Sequence, residues 1–497
     1  MNKKERQEYE EKILKDLSVE RQGKKLIVPE GVELSIAVKA LQLKQEEEEE
    51  FNAVSWDFEY GVAEGMVAFL RTLEKQFGFV SARPTPTFFG NRPPQFLGIE
   101  TAPGHQESVP FGRLNVPGIN GWLEPTYNIK KGKVVFKIHG EIKGKHRVKA
   151  DVIIEAVRRE CKDNSIYKGQ AIETSFPEIE DLNSLGDTFP TFAKLNKIDL
   201  DDIIFSKVVS DKIMVSLFMP IMHSERCRKH EVPLKRGILL EGPYGVGKTL
   251  TAAATAALCK ENNWTFIYLK DVTKLAQAYS FAEQYQPAVI FAEDIDQIVK
   301  NKDPEHRDDE INNVLNALDG IDSKGIEVIT VLTTNNVQNL TKAMLRPGRL
   351  DTVVSVRPPD ADAAQQLVRL FGGDLIAADE DLSSVGDILK GEIPALIREV
   401  VERSKLAAMR REQEDENLRI VAEDIKVTAE GMKDHMNLLK KKDPDNRSER
   451  EKAAGVIASA TVAAEQIKQG KDIKEVLEDL PDLKRATQKP DELPFAN

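Results

Sequence analysis

The stretch Arg236–Lys260, RGILLEGPYGVGKTLTAAATAALCK, decides the fold. A short apolar run, Ile238–Leu240, leads into the loop Gly242-Pro243-Tyr244-Gly245-Val246-Gly247-Lys248-Thr249, and a segment of helical composition follows from Leu250. Glycines at three places let the backbone wrap tightly, so successive N–H groups point at phosphate oxygens. The helix N-terminus behind the loop adds a favourable dipole. Lys248 supplies a mobile point charge, and the Thr249 hydroxyl is placed to ligate Mg²⁺. A match set between a buried strand and a helix predicts a nucleotide-binding site.

Beyond the loop, the apolar runs Phe266–Leu269, Val289–Phe291, Val328–Leu332 and Val353–Val356 are short, and helical segments separate them. Buried parallel strands with crossover helices produce this alternation. Forty residues past the loop stands QPAVIFAEDID, a hydrophobic strand that ends in Glu293 and Asp294. Paired carboxylates there suit ATP hydrolysis: one anchors the water shell of Mg²⁺ and the next activates or orients the attacking water.

These motifs resemble the AAA family of ATPases over roughly residues 196–440. The family's usual order is Asp then Glu, so Glu293 falls where the family has Asp, and Asp294 where it has the catalytic Glu. Glu293 is one methylene longer and still reaches a metal-bound water, whereas Asp294 is one shorter and needs help from the backbone. The same reversed order occurs in the branch that includes the mitochondrial Rieske-protein translocase, so hydrolysis is expected to survive it. VITVLTTNNVQNLTKAMLRPGRLD is similar to the family's second region of homology. By resemblance, Asn335 orients the lytic water, while Arg346 and Arg349 reach into the neighbouring subunit's ATP site. Guanidinium offers fixed donors to the charge building on the transferring phosphoryl group. Leu318–Gly320 matches an element between subunits, and Leu250 together with Ile203 or Ile204 is placed near the base, with core packing the alternative for the isoleucines. A ring of six is implied. Glu392 departs from the Gly-Ala of the branch and receives no nucleotide contact.

The threading members carry an aromatic-glycine pore loop. Here KDVTKLAQAYSFAEQYQP has no glycine, and Tyr279 and Phe281 are spaced to pack on a sheet rather than to face a pore. No HExxH zinc site is present.

The expected fold is an α/β P-loop NTPase core with an all-α lid, preceded by a mixed α/β, β-rich N-terminal domain and followed by a helical tail. The boundaries read as a polar acidic segment at 1–50, a partner domain at 51–175, a linker at 176–195, the large ATPase subdomain at 196–358, the lid at 359–440 and the tail at 441–497. Within the N-terminal domain, EYGVAEGMVAFLRTLEKQF has helical spacing, SARPTPTFFGNRPPQFLG is loop or extended, and Val134–Ile138 and Val148–Ile154 alternate as strands. The basic stretch KKGKVVFKIHGEIKGKHRVK reads as a nucleic-acid hairpin or a solvated strand face, and the run Glu46–Glu50 as a docking tail or a solvated helix end.

Composition fits a soluble cytoplasmic component. The 497 residues carry 70 Lys+Arg against 82 Asp+Glu, a net charge of −12, with 41% hydrophobic residues and three scattered cysteines. No apolar stretch is long enough for a membrane span, and net acidity disfavours nucleic acid as the default client. The reading is a homo-oligomeric, Mg²⁺- and ATP-dependent ATPase that remodels a protein client through its N-terminal domain. An ATPase in DNA or RNA transactions, or an ATP-gated scaffold with negligible hydrolysis, are the alternatives.

Overall fold

The computed structural model describes residues 20–22, 25–27, 33–88, 90–130, 133–176, 189–194, 200–296, 314, 325–336, 344, 346, 349–411 and 418–432. Leu318–Gly320, the tail 441–497 and most of the 176–195 linker lie outside them. The chain divides into two compact units, residues 1–363 and 364–497.

In the first unit, strands β1 (Phe51–Asp57), β2 (Ser81–Ala82), β3 (Leu114–Asn115), β4 (Gly121–Lys130) and β5 (Lys133–Lys143) form an antiparallel sheet in the order β1-β5-β4-β3-β2. Its apolar face, with Val54, Leu123, Phe136 and Ile138, is buried beside two helices, Val62–Phe77 and Arg147–Asp163. The proline-rich stretch supplies short strands of two hairpins, Thr85–Thr87 with Gly90–Arg92 and Gln95–Ala102 with His105–Phe111.

Val148–Ile154 corrects the strand expectation: it lies in the helix Arg147–Asp163. Ala150, Ile153, Ile154, Val157 and Cys161 are buried while Val148 and Val152 are exposed. Intervals of three and four residues are a helical stripe; of the apparently alternating residues, Ile154 belongs to it while Val148 and Val152 lie outside it.

The acidic run closes another helix, Leu34–Glu49. Glu49 pairs with Lys143 at 2.8 Å and with Lys145. Their hydrogen bonds hold its carboxyl down to about 2. Part of the basic stretch is thereby neutralised within the chain.

A second sheet carries the nucleotide-loop segment. It comprises β6 (Ala171–Thr174), β7 (Thr191–Phe192), β8 (Arg236–Glu241), β9 (Thr265–Leu269), β10 (Ala288–Ala292), β11 (Val328–Thr334) and β12 (Thr352–Ser355), in the order β7-β6-β9-β10-β11-β8-β12. All pairings are parallel except β6 with β7. Every residue of β10 and β11 is buried, as expected for strands covered on both faces. The sheet reaches further back than the 196 boundary, because β6 comes from the stretch assigned to the N-terminal domain and β7 from the linker.

One apolar core runs from Val54 to Leu350 through both sheets. Within it the rings of Tyr167, Phe192, Phe281 and Tyr285 pack in tilted and edge-on pairs, with centroids 4.5–6.2 Å apart. Tyr279 and Phe281 are buried on the helix Leu275–Gln284 against this sheet. Glu64, from the helix Val62–Phe77, enters the same cluster and accepts a hydrogen bond from the Tyr285 hydroxyl.

Burial raises the Glu64 carboxyl to about 7, against the opposing hydrogen bonds from Ser165 and Tyr285. The folded chain therefore keeps a proton that the unfolded chain releases between about pH 4.5 and about pH 7. This contribution to stability is fully present below the lower value and is lost as pH rises through the upper one. Glu64→Gln, which stays neutral and can still accept from Tyr285, is expected to remove that decline, amounting to roughly 3 kcal/mol. Urea midpoints at pH 5 and pH 8 check it: an equal loss in both proteins would exclude Glu64 as the cause.

The second unit is helical, with Ala361–Gly372 entering it and Ser383–Leu389, Pro394–Arg411 and Ala422–Gly431 following. Arg411 and Asp424 pair at 3.0 Å, and Asp424 also accepts from the Val421 N–H at 3.1 Å, which caps the last helix just before its first residue, Ala422. Glu392 is buried in this unit.

Candidate functional site

The strand order builds the site. β11 lies between β8 and β10, so the residue after β11 stands between the loop that follows β8 and the acids that follow β10. In doubly wound sheets this carboxyl end is where ligands bind.

The loop leaves β8 at Glu241 and enters the helix Lys248–Glu261. Gly242 packs so tightly that a Cβ there would sit 2.1 Å from the Val356 carbonyl oxygen. Gly247 has φ +103°, a backbone that side chains other than glycine resist. Val246 anchors the loop in the core, whereas Pro243, Tyr244, Gly245, Thr249 and Leu250 are exposed around it. Ile203 and Ile204 are half-buried nearby in sequence to Phe205, whose ring edge would lie 3.2 Å from a Cβ on Gly247.

Lys248 is buried, and its ammonium uses three donors: to the carbonyls of Gly242 at 2.6 Å and Pro243 at 2.9 Å, and to Asn335 Oδ1 at 2.7 Å. Burial pushes its pKa down, against the pull of Asp294, Glu293 and Asp296. The amide of Asn335 donates in turn to Asp294 Oδ1 at 2.8 Å. Cation, amide and carboxylate form a continuous chain across the ends of three strands.

Asp294 has φ +54°, the left-handed region. Asp tolerates it better than most residues, at a cost of about 1 kcal/mol. Its N–H donates to Thr333 Oγ1 at 3.0 Å, and the Ile295 N–H donates to the Thr333 carbonyl at 2.9 Å. The chain leaving β10 is thereby drawn over the end of β11, toward Asn335. That turn brings the Asp294 carboxylate within hydrogen-bond reach of the Asn335 amide.

Glu293 is half-buried, and its buried Oε1 has no hydrogen-bond partner among the described residues. The Tyr268 phenol on β9 faces it, and burial together with the Glu293 charge pushes that phenol up to about 12. An orphaned carboxylate oxygen beside a phosphate loop fits Mg²⁺, which takes one or two protein ligands and completes its shell with phosphate and water. Thr249, in the first turn of the loop helix, adds an accessible hydroxyl.

The two arginines stand elsewhere. The Arg349 carbonyl oxygen lies against Gly237, so close that a Cβ there would meet it at 1.6 Å, and Arg349 N–H donates to the Arg346 carbonyl at 3.1 Å. Arg349 also lines a cavity of about 100 Å³ with Lys235, Arg236, Tyr279, Val328 and Asp351. This is the amino end of β8. From Gly237 to Gly242 the strand runs five residues, roughly 17 Å, beyond the span of a side chain.

Thr333, Tyr268 and Asp296 escaped the sequence reading. Asp296 is buried and accepts from Thr334 Oγ1 and the Asn335 N–H, each at 3.4 Å, steadying the end of β11. The only linear signal for these groups is a pair of threonines and a third acid close to the motifs.

The family described as "ATPase family associated with various cellular activities (AAA)" matches residues 238–358. The chain is 30% identical over 226 residues to the ATPase family gene 2 protein of Schizosaccharomyces pombe, covering 43% of this chain and 27% of that protein. It is 28% identical over 256 residues to the probable inactive ATP-dependent zinc metalloprotease FTSHI 2, chloroplastic, of Arabidopsis thaliana, covering 48% and 28%. The chain thus spans little more than a quarter of these two relatives. Against the 26S proteasome regulatory subunit 8 homolog of S. pombe it is 27% identical over 345 residues, 62% of this chain and 80% of that one. Among the described residues no helix is long and apolar enough to cross a membrane. With a phosphate loop, an acidic strand end and a bridging asparagine on adjacent parallel strands, and a family match over the same residues, this chain carries an AAA ATPase domain.

Proposed function

We propose that the protein hydrolyses ATP, works as a ring of identical subunits, and uses the cycle to remodel a protein client held by its N-terminal part. The observation that carries the reading is the hydrogen-bonded chain Lys248–Asn335–Asp294, which links a phosphate-binding cation to a carboxylate through a residue able to orient water.

In this mechanism the loop N–H groups and Lys248 hold the β- and γ-phosphates. Thr249 and Glu293 would hold Mg²⁺, which would supply charge neutralisation for the phosphates. Asp294 accepts a proton from the attacking water, and Asn335 fixes that water in line with the γ-phosphorus. Leu250 borders the nucleotide on the exposed side of the loop. Arg346 and Arg349, remote from their own loop, act on the site of the next subunit, which makes assembly a condition of turnover. The shared core between the N-terminal sheet and the ATPase sheet gives nucleotide-driven movement a direct route to a client.

Phosphate release by the purified chain tests the reading, with Lys248→Ala as control. Turnover that depends on Mg²⁺ and falls at least about 100-fold in the variant is expected. Release no greater than that of the variant would sink it.

A further inference from the structure

We propose that Thr333 is the positioning residue for Asp294: its hydroxyl fixes the left-handed turn that carries the shorter carboxylate to its working place. The inference rests on the ATPase reading above and adds a residue to it.

Three observations converge. First, Thr333 Oγ1 accepts the Asp294 N–H at 3.0 Å while its carbonyl accepts the Ile295 N–H at 2.9 Å, so a single residue engages two successive amides of the acidic segment. Second, Thr333 is 1% exposed at the end of β11, a strand buried along its whole length, so its rotamer is set by packing rather than by solvent. Third, the segment it holds takes a left-handed backbone at Asp294, with φ +54°, two residues after β10 ends. Neighbouring threonines do other work: Thr334 donates to Asp296, inside the strand ends.

The consequence follows from geometry. An extended strand sends successive side chains to opposite faces. Continued through residue 294, it would aim the carboxylate at one face of the sheet rather than over the end of β11. The left-handed turn instead folds the main chain over β11, and Asp294 Oδ1 then meets the Asn335 amide at 2.8 Å. A glutamate has an extra methylene with which to reach; an aspartate depends on where its Cα stands. Thr333 sets that place, and its hydroxyl is the one side-chain acceptor among the described contacts of the Asp294 amide.

Thr333→Val keeps the β-branched shape and removes the acceptor, while Thr333→Ser keeps the acceptor and removes the methyl. Two measurements are made on the full chain: steady-state phosphate release, and hydrogen–deuterium exchange at the Asp294 amide. Thr333→Val is expected to lower kcat by about 10- to 100-fold, the usual cost of an ångström-scale misplacement, with KM for ATP changed less than about twofold. Its Asp294 amide should exchange faster. Thr333→Ser should restore both. Unchanged exchange in Thr333→Val, faster exchange with unchanged kcat, or a serine variant as impaired as the valine one would each overturn the proposal. A wild-type chain without turnover would instead remove the ATPase reading, and the exchange comparison alone would then decide whether Thr333 pins the turn.

Discussion

Asp294→Asn should stop phosphate release while leaving nucleotide bound. The substitution is isosteric, asparagine tolerates the left-handed backbone at this position as well as aspartate does, and its Oδ1 can still accept from the Asn335 amide. Only the basicity is lost. General-base catalysis is worth about 10²–10⁴ in rate, so kcat should fall by that factor, with the affinity for a fluorescent ATP analogue within about threefold of wild type. Glu293→Gln makes the contrast. It replaces the carboxylate offered to Mg²⁺ with a neutral amide, so its main effect should be a reduced dependence of nucleotide affinity on Mg²⁺ concentration. If Glu293→Gln stops turnover at unchanged affinity while Asp294→Asn is mild, the two acids have the opposite roles. A protein caught on Asp294→Asn in ATP would also identify the client.

Much of this arrangement was legible in the sequence because it depends on local chemistry. The phosphate loop announces itself through Gly242, Gly245, Gly247 and Lys248, and the five parallel strands β8 to β12 through apolar runs too short for helices. Asn335 was legible only by resemblance; its bond to Lys248 spans 87 residues and depends on β11 lying between β8 and β10. No linear pattern specifies that order.

What stayed hidden was set by tertiary contact. The pair β6 and β7 reads as the end of one domain and as linker because each strand is four residues or fewer, and only pairing with β9 gives β6 a place in the sheet. Glu64 looks like an ordinary helix acid, yet it is buried against Tyr285, 221 residues away. Thr333 reads as another β-branched strand residue, and its hydroxyl acquires a role only when the chain leaving β10 turns over it. The sign of φ at Asp294 is likewise a property of the turn, not of the residue.

Arg349→Ala in a uniform preparation should cost more than any other single change outside the loop. An arginine acting on a transferring phosphoryl group is worth about 10³–10⁵ in kcat. The argument for action in trans is one of position. Arg349 is fixed against Gly237 at the amino end of β8, and its own phosphate loop begins at the carboxyl end of the same strand, roughly 17 Å away. In a head-to-tail ring the amino edge of one subunit can face the carboxyl edge of the next. Mixing separates this from a structural role. Arg349→Ala subunits keep an intact loop, and Lys248→Ala subunits keep an intact arginine, so neither preparation alone turns over. Combined in equal amounts and allowed to reassemble, roughly one interface in four joins a working loop to a working arginine, and about a quarter of wild-type turnover should return. A mixture as silent as its components would place the arginine's effect within its own subunit. Arg346→Ala, tested the same way, tells which guanidinium makes the contact: the one whose loss is repaired by mixing reaches across, and the other does not.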